Sequence, residues 1–324
     1  MRHHPLVPGM VIALFALSQA AHAQNYPART VTMIVPVAAG GVTDQMARVF
    51  AAEMAKPLAQ SVIVENRPGV NGIAGANAVA KAAADGYTLC FCYSGPVALA
   101  KVSTPDLPYD IDKDFLPVSR VYDLIPVIAV PATSHFHSLP EFIAYAKANP
   151  GKMSYGHTGV GGALHLGFEQ LKSIGGFDVL AISYNGENPI VPDLISGRLD
   201  MALLSPLFAK KLAEGGKVRL LAQSGAERLR LIPDVPTVAS AGYPGYQTGT
   251  WSGIFLPARA AAPIVQKVYE AVQEAAHNSG VEERILAAGL QPVVGNTPPQ
   301  FREFVDREKK TWADLIKKLG GIPR

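Results

Sequence analysis

Charge is scarce in this chain. Of its 324 residues 17% are Asp, Glu, Lys or Arg against 48% apolar, which excludes a self-repelling disordered polymer and points to a folded globule. Charge of one sign is scarcer still: 29 basic and 26 acidic side chains leave a formal +3. No Lys/Arg cluster with interleaved aromatics occurs, so nothing marks a nucleic-acid-binding face. Long apolar runs are missing, and Met10–Leu17 (MVIALFAL) falls far short of the ~20 residues that span a bilayer. Cysteine is limited to Cys90 and Cys92 in LCFCY. On a strand these share one face, ~6.5–7 Å apart, at or beyond the reach of a disulfide, so they are expected to be small, unlinked, buried residues. No CxxC, P-loop or HExxH pattern occurs, and no metal or cofactor is expected.

What is present begins with an export signature. Arg2, His3 and His4 precede the apolar run, and Ala21-His22-Ala23 stands before Gln24. Charge, apolar core and small residues at −3 and −1 make a secretory signal peptide of 1–23. The remaining ~300 residues suffice for two domains with separate cores.

Short β-rich runs alternate with helical patterns, the mark of parallel α/β layers. Strands are predicted at Thr30–Val35, Ser61–Glu65, Tyr87–Tyr93, Ile125–Val130, Met153–Tyr155, Val179–Tyr184, Met201–Leu204, Arg219–Gln223 and Ser252–Leu256. Helices are predicted from Thr43 to about Pro57 and over Ala74–Ala84, Gly162–Lys172, Pro189–Ser196 and Leu207–Glu214. Ser138-Leu139-Pro140-Glu141 reads as a capping box opening a helix through Ala148. After Pro298-Pro299, residues Phe301, Phe304, Val305, Trp312, Leu315, Ile316 and Leu319 keep one face at the helical period. Two such α/β sets suggest two lobes with a cleft between them, a favoured ligand site.

Two glycine-rich turns carry the chemistry. In Pro36–Asp44, the residues Ala39, Gly40 and Gly41 let a ligand approach the backbone, and a helix starting near Thr43 adds the partial positive charge of its N-terminus. The same glycines also suit a plain tight turn with Thr43 or Asp44 capping its own helix. Tyr155–Gly162 places four glycines in seven residues at a second helix start. It fails as a dinucleotide fingerprint, because Leu164 stands at the third glycine position. His157 projects from this turn, either as a partly exposed loop residue or as a ligand contact. His135 and His137 read as solvated, and His165 as a core or supporting residue. Ser94 lies in Cys92-Tyr93-Ser94-Gly95, without the leading glycine of a nucleophile elbow.

At these loops the chain resembles the Bug-type substrate-binding proteins of tripartite tricarboxylate transporters. The resemblance runs from YPARTVTMIVPVAAGGVTDQMAR through ENRPG, DGYTL, PGKMSYGHTGVGGALHL and PDVPT to the W-x-G segment of GTWSGIFLPA. It implies the α/β type II periplasmic-binding-protein fold: 24–124 and 249–324 as one lobe, 125–248 as the other, and a ligand cleft between. It also implies a periplasmic monomer, with no catalytic residue, that captures a small carboxylate and hands it to transporter membrane subunits. By the resemblance Ala39, Gly40, Gly41, Thr43 and Asp44 form one jaw, and Thr158, Gly159, Gly161 and Gly162 the other. Ser94, His157, Tyr184, Asn185 and, more weakly, Asp200 line the cleft. The sequence departs from the family's pattern at His157 and Gly162, both commonly Ser, at Ala39, usually Pro, and at Asn185, usually Lys. With Arg and Lys scarce near both loops, the expected ligand is a monocarboxylate or aromatic carboxylate rather than citrate. Two rivals stand beside this reading: a sensory co-receptor passing its ligand to a membrane sensor, and a hydrolase using Ser94 or His157.

Overall fold

The computed structural model describes residues 26–69, 71–184 and 186–323; the expected signal peptide lies outside them. The chain opens with β1 (Val31–Val35), α1 (Val42–Leu58), β2 (Val62–Asn66), α2 (Ile73–Ala80) and β3 (Thr88–Tyr93). A π-helical turn over Gly95–Leu99 leads to α3 (Ala100–Ser103), α4 (Ile111–Asp114) and β4 (Phe115–Leu124). The middle of the chain holds β5 (Val127–Pro131), α5 (Leu139–Ala148), β6 (Ser154–His157), α6 (Ala163–Gly175), β7 (Leu180–Ser183), α7 (Ile190–Ile195), β8 (Met201–Leu204), α8 (Pro206–Glu214) and β9 (Val218–Gln223). It closes with β10 (Thr250–Pro257), α9 (Ala262–Ala276), α10 (Ser279–Ala287), β11 (Gln291–Pro292) and α11 (Pro298–Lys318).

These strands make two sheets, ordered β11-β4-β10-β3-β1-β2 and β7-β6-β8-β5-β9. Each is covered on both faces. Period-two alternation sends Val31, Met33 and Val35 of β1 against Phe50 and Met54 of α1, and Ile34 against α2. In the second sheet Ile128 and Val130 pack with α5, while Val127 and Ala129 pack with α7.

Two expectations are corrected. The sheets are mixed rather than parallel: β10 runs antiparallel to β3 and β4, and β5 antiparallel to β8 and β9. Each sheet therefore takes in a strand with no helical crossover to announce its direction. Cys90 and Cys92 are joined as a disulfide, with Cα atoms 5.3 Å apart. The strand is drawn in locally from its extended rise, and that separation lies within disulfide range. Both residues are fully buried, on the face of β3 opposite Leu89 and Phe91.

The chain passes between the sheets at Ile125–Pro126 and again between β9 and β10. These crossings are stitched together, since Ser224 N–H donates to Pro126 O and Thr248 N–H donates to Ser224 O.

Candidate functional site

Both glycine turns leave the carboxyl ends of strands with parallel neighbours, where open α/β sheets bind ligands. The first links β1 to α1. Gly41 is the N-cap in an extended conformation with no side-chain cap, so the first-turn amides of α1 carry no side-chain partner. Gly40 needs its missing Cβ, with φ at 90°. Asp44 turns inward and is buried: its carboxylate accepts from Gly40 N–H at 2.9 Å, Asn66 Nδ2 at 2.8 Å and Arg48 Nε at 3.1 Å. Burial alone would raise its pKa, but these hydrogen bonds outweigh it and hold the carboxyl below the ordinary value. Gly75 braces the turn from behind, where a Cβ would come within 2.8 Å of Pro36 Cβ. Asn66 and Gly75 thus shape the first loop from the neighbouring β2–α2 segment.

The second turn links β6 to α6, and its histidines are its architecture. His157 was expected to project from the loop, yet it is 1% exposed, as is His165. The rings stack with centroids 4.4 Å apart. Gly159 N–H donates to His157 Nδ1 at 3.2 Å, and Gly161 N–H donates to His165 Nδ1 at 3.0 Å. Both Nδ1 atoms are therefore acceptors, which places the proton of each neutral ring on Nε2. Burial lowers the pKa of His157, and burial with the charges of His157 and Lys172 lowers that of His165 to about 4. Two amides that the sequence reading assigned to a ligand are thus committed to imidazoles. Gly162 is the N-cap of α6 without a side-chain cap, which leaves the amides at Ala163 and Leu164 with no side-chain partner.

A cavity of about 330 Å³ lies between the two sheets' lobes. The second turn (Thr158, Gly159, Gly161, Gly162) and the start of α6 (Ala163, Leu164) form one wall. Asn71, Tyr93, Ser94 and Thr250 face it from the other lobe, with Glu187 at one side. Ser94 Oγ and Thr250 Oγ1 are 3.0 Å apart, so the hydroxyl's partner is another hydroxyl and not a base. Thr43 lines a smaller hollow of about 140 Å³ that shares Tyr93, Leu124 and Thr250 with the main cavity.

Not every expected residue arrives there. Ala39, Gly40 and Gly41 are exposed and form no wall of either hollow. Tyr184 is tied away, its hydroxyl donating to Asp193 at 2.7 Å. Asp200 accepts from Ser154 N–H at 2.8 Å and so sits at the amino end of β6, opposite the end that carries the glycine turn. Asn185 lies outside the described residues. Sequence reading missed Asn71, Tyr93, Ala163, Leu164, Glu187 and Thr250. Of these Ala163, Leu164 and Thr250 had a signal, since they fall within GHTGVGGALHL and GTWSGIFLPA.

The family model described as tripartite tricarboxylate transporter family receptor matches residues 46–321. The chain belongs to this family. The BugT protein of Bordetella pertussis is 34% identical over 315 residues, which cover 97% of this chain and 96% of BugT. The R. palustris protein Rpa4515, solved with adipate, superposes with a TM-score of 0.82 at 31% identity, over 92% of this chain and 100% of that one. MatC (Rpa3494) from Rhodopseudomonas palustris, with bound malate, gives 0.78 at 33%, over 90% and 100%. This receptor is accordingly a solute-binding protein of the two-lobed periplasmic type and not an enzyme. Among the described residues no helix is long and apolar enough to cross a membrane.

Proposed function

We propose that this receptor traps a small carboxylate in the 330 Å³ interlobe cavity and delivers it to the membrane subunits of a transporter. The observation that carries the reading is the chemistry of that cavity's wall. Uncapped amides at the N-terminus of α6 share the lining with the hydroxyls of Ser94, Thr158 and Thr250, and among the described residues no Lys, Arg or His contributes to it. Such donors suit one carboxylate. Each charge-assisted bond contributes ~1.5–3 kcal/mol, so two or three with apolar contacts reach the ~8 kcal/mol of micromolar affinity. A tricarboxylate would need countercharge that this wall does not offer, which favours a monocarboxylate or aromatic carboxylate over citrate. Adipate in Rpa4515 and malate in MatC support the carboxylate class.

The division into lobes 24–124 with 249–324 and 125–248 is part of the proposal, supported by the segregation of β1–β4, β10 and β11 from β5–β9. Export to the periplasm rests on the signal pattern of residues 1–23 and on the family.

A thermal-shift screen over organic acids tests the reading. An acid at ~100 times its dissociation constant should add ~2.7 kcal/mol of stability, a rise of several degrees. Tight citrate binding with no response to any benzoate-type acid would refute the ligand class.

A further inference from the structure

Among the described residues one charged side chain borders the interlobe cavity, and it is acidic. Glu187 lies in the turn between β7 and α7, and among the described residues no other Asp, Glu, Lys, Arg or His contributes to that lining. Its position is fixed. Ser205 N–H donates to Oε1 at 2.6 Å and Ser205 Oγ–H to Oε2 at 2.8 Å, which ties the carboxylate to the N-cap residue of α8. A carboxylate offers about four acceptor sites, and Ser205 uses two, so acceptor capacity remains. Lys211 and Arg284 border an adjoining depression, which Glu187 also lines.

We infer that Glu187 selects the second functional group of the ligand: with a carboxylate held at the N-terminus of α6, the part that reaches Glu187 must carry an ammonium or another N–H donor rather than a second carboxylate. This rests on the carboxylate reading above and sharpens it. An ionised carboxylate facing a second anion repels it, and facing a donor forms a charge-assisted hydrogen bond. Burial raises the pKa of Glu187 despite the two bonds from Ser205. A cationic partner would reverse that shift. The receptor would thus differ from Rpa4515 and MatC, which are described with the dicarboxylates adipate and malate.

Two ligand trios of matched shape test it on the full mature protein, dialysed free of co-purified ligand. They are hexanoate, 6-aminohexanoate and adipate, and 4-methylbenzoate, 4-(aminomethyl)benzoate and terephthalate. Calorimetric affinities are measured for the wild type and for Glu187→Gln, which keeps an acceptor for Ser205. The expected result is that the amino member of at least one trio binds about tenfold or more tighter than its dicarboxylate in the wild type. In Glu187→Gln most of that ratio should vanish, with the dicarboxylate gaining. A wild type that prefers the dicarboxylate, or a ratio unchanged in the variant, overturns the role of Glu187 while leaving carboxylate capture standing. If no acid of either trio binds, both readings fall together. The wild-type series carries the test by itself should the variant not fold.

Discussion

An aspartate at position 162 would stand at the N-cap of α6, where φ −77° and ψ 164° suit any residue. Its Cβ would meet only Gly159 O, at 3.3 Å. Its carboxylate would accept from the first-turn amides, the place we assign to the ligand. The expectation for Gly162→Asp is an unliganded stability unchanged or raised by a few tenths of a kcal/mol, with the ligand-induced thermal shift abolished. Full retention of the shift, using the best acid from the screen, would remove the α6 terminus from the site. Gly161→Asp is a poorer probe, since φ there is 72° and the substitution adds strain. At this scale the sequence was legible for backbone and misleading for side chains. The glycines read correctly as turns at helix starts. Asp44 and His157 read as ligand contacts because polar groups in glycine loops are usually exposed. Here the amides of Gly40 and Gly159 needed acceptors, and Asp44 and His157 turned inward to supply them, as His165 does for Gly161. Glu187 has no local pattern that distinguishes it from a solvated turn residue.

The stacked histidines make α6 and its turn an acid-sensitive element. The His165 pKa is lowered to about 4 by burial, by His157 and by Lys172, against ~6.5 for an unperturbed ring. As pH falls below ~6.5 the unfolded chain takes up a proton that the folded ring refuses. The ring's contribution is therefore fully present above that pH and is lost as pH drops toward about 4, by up to ~1.4 kcal/mol per unit. Acids act in the opposite sense. Burial raises Asp123 to about 6 and also raises Glu187 and Glu308, so these groups stabilise the fold on acidification. The two contributions are separated by difference: His165→Asn keeps an acceptor for Gly161 N–H and cannot titrate. Urea unfolding from pH 7 to 4.5 should show the wild type losing more stability than the variant. A constant gap over that range would mean that the ring does not titrate as described. Element prediction was incomplete: α9 was not predicted although Val268, Ala271, Val272, Ala275 and Ala276 keep one helical face. β4, ten residues long, was missed because Pro117, Ser119, Arg120 and Asp123 break its apolar run; the proline is accommodated beside a register shift opposite Ile254 and Phe255.

At the scale of the whole molecule, the two-lobed plan was readable from two successive α/β sets, whereas the tie between the lobes was not. The C-terminal helix α11 was recognised by its apolar face, yet the sequence gives no partner for that face. Part of it leaves its own lobe: Trp312 and Leu315 pack with Leu99 of the first lobe and with Leu166 of α6 in the second. Close behind, Gly167 presses on the return crossing, where a Cβ would lie 2.1 Å from Thr248 Oγ1, and Tyr246 Oη–H donates to Gly167 O at 3.0 Å. The helix that presents the second glycine turn is thus clamped between the crossing and α11. A clamp of this kind couples the lobes, so urea should unfold the protein in a single transition by both fluorescence and circular dichroism. Leu166→Ala should cost ~2–5 kcal/mol and Trp312→Ala ~3–5 kcal/mol. Because the two side chains share one cluster, the double variant should fall short of or exceed the sum by ~0.5–3 kcal/mol. If the lobes are independent, Leu166→Ala will move only one of two separable transitions and the pair will add. That outcome would mean α11 merely lies against α6, and the relative placement of the lobes would rest on the hydrogen-bonded crossings alone.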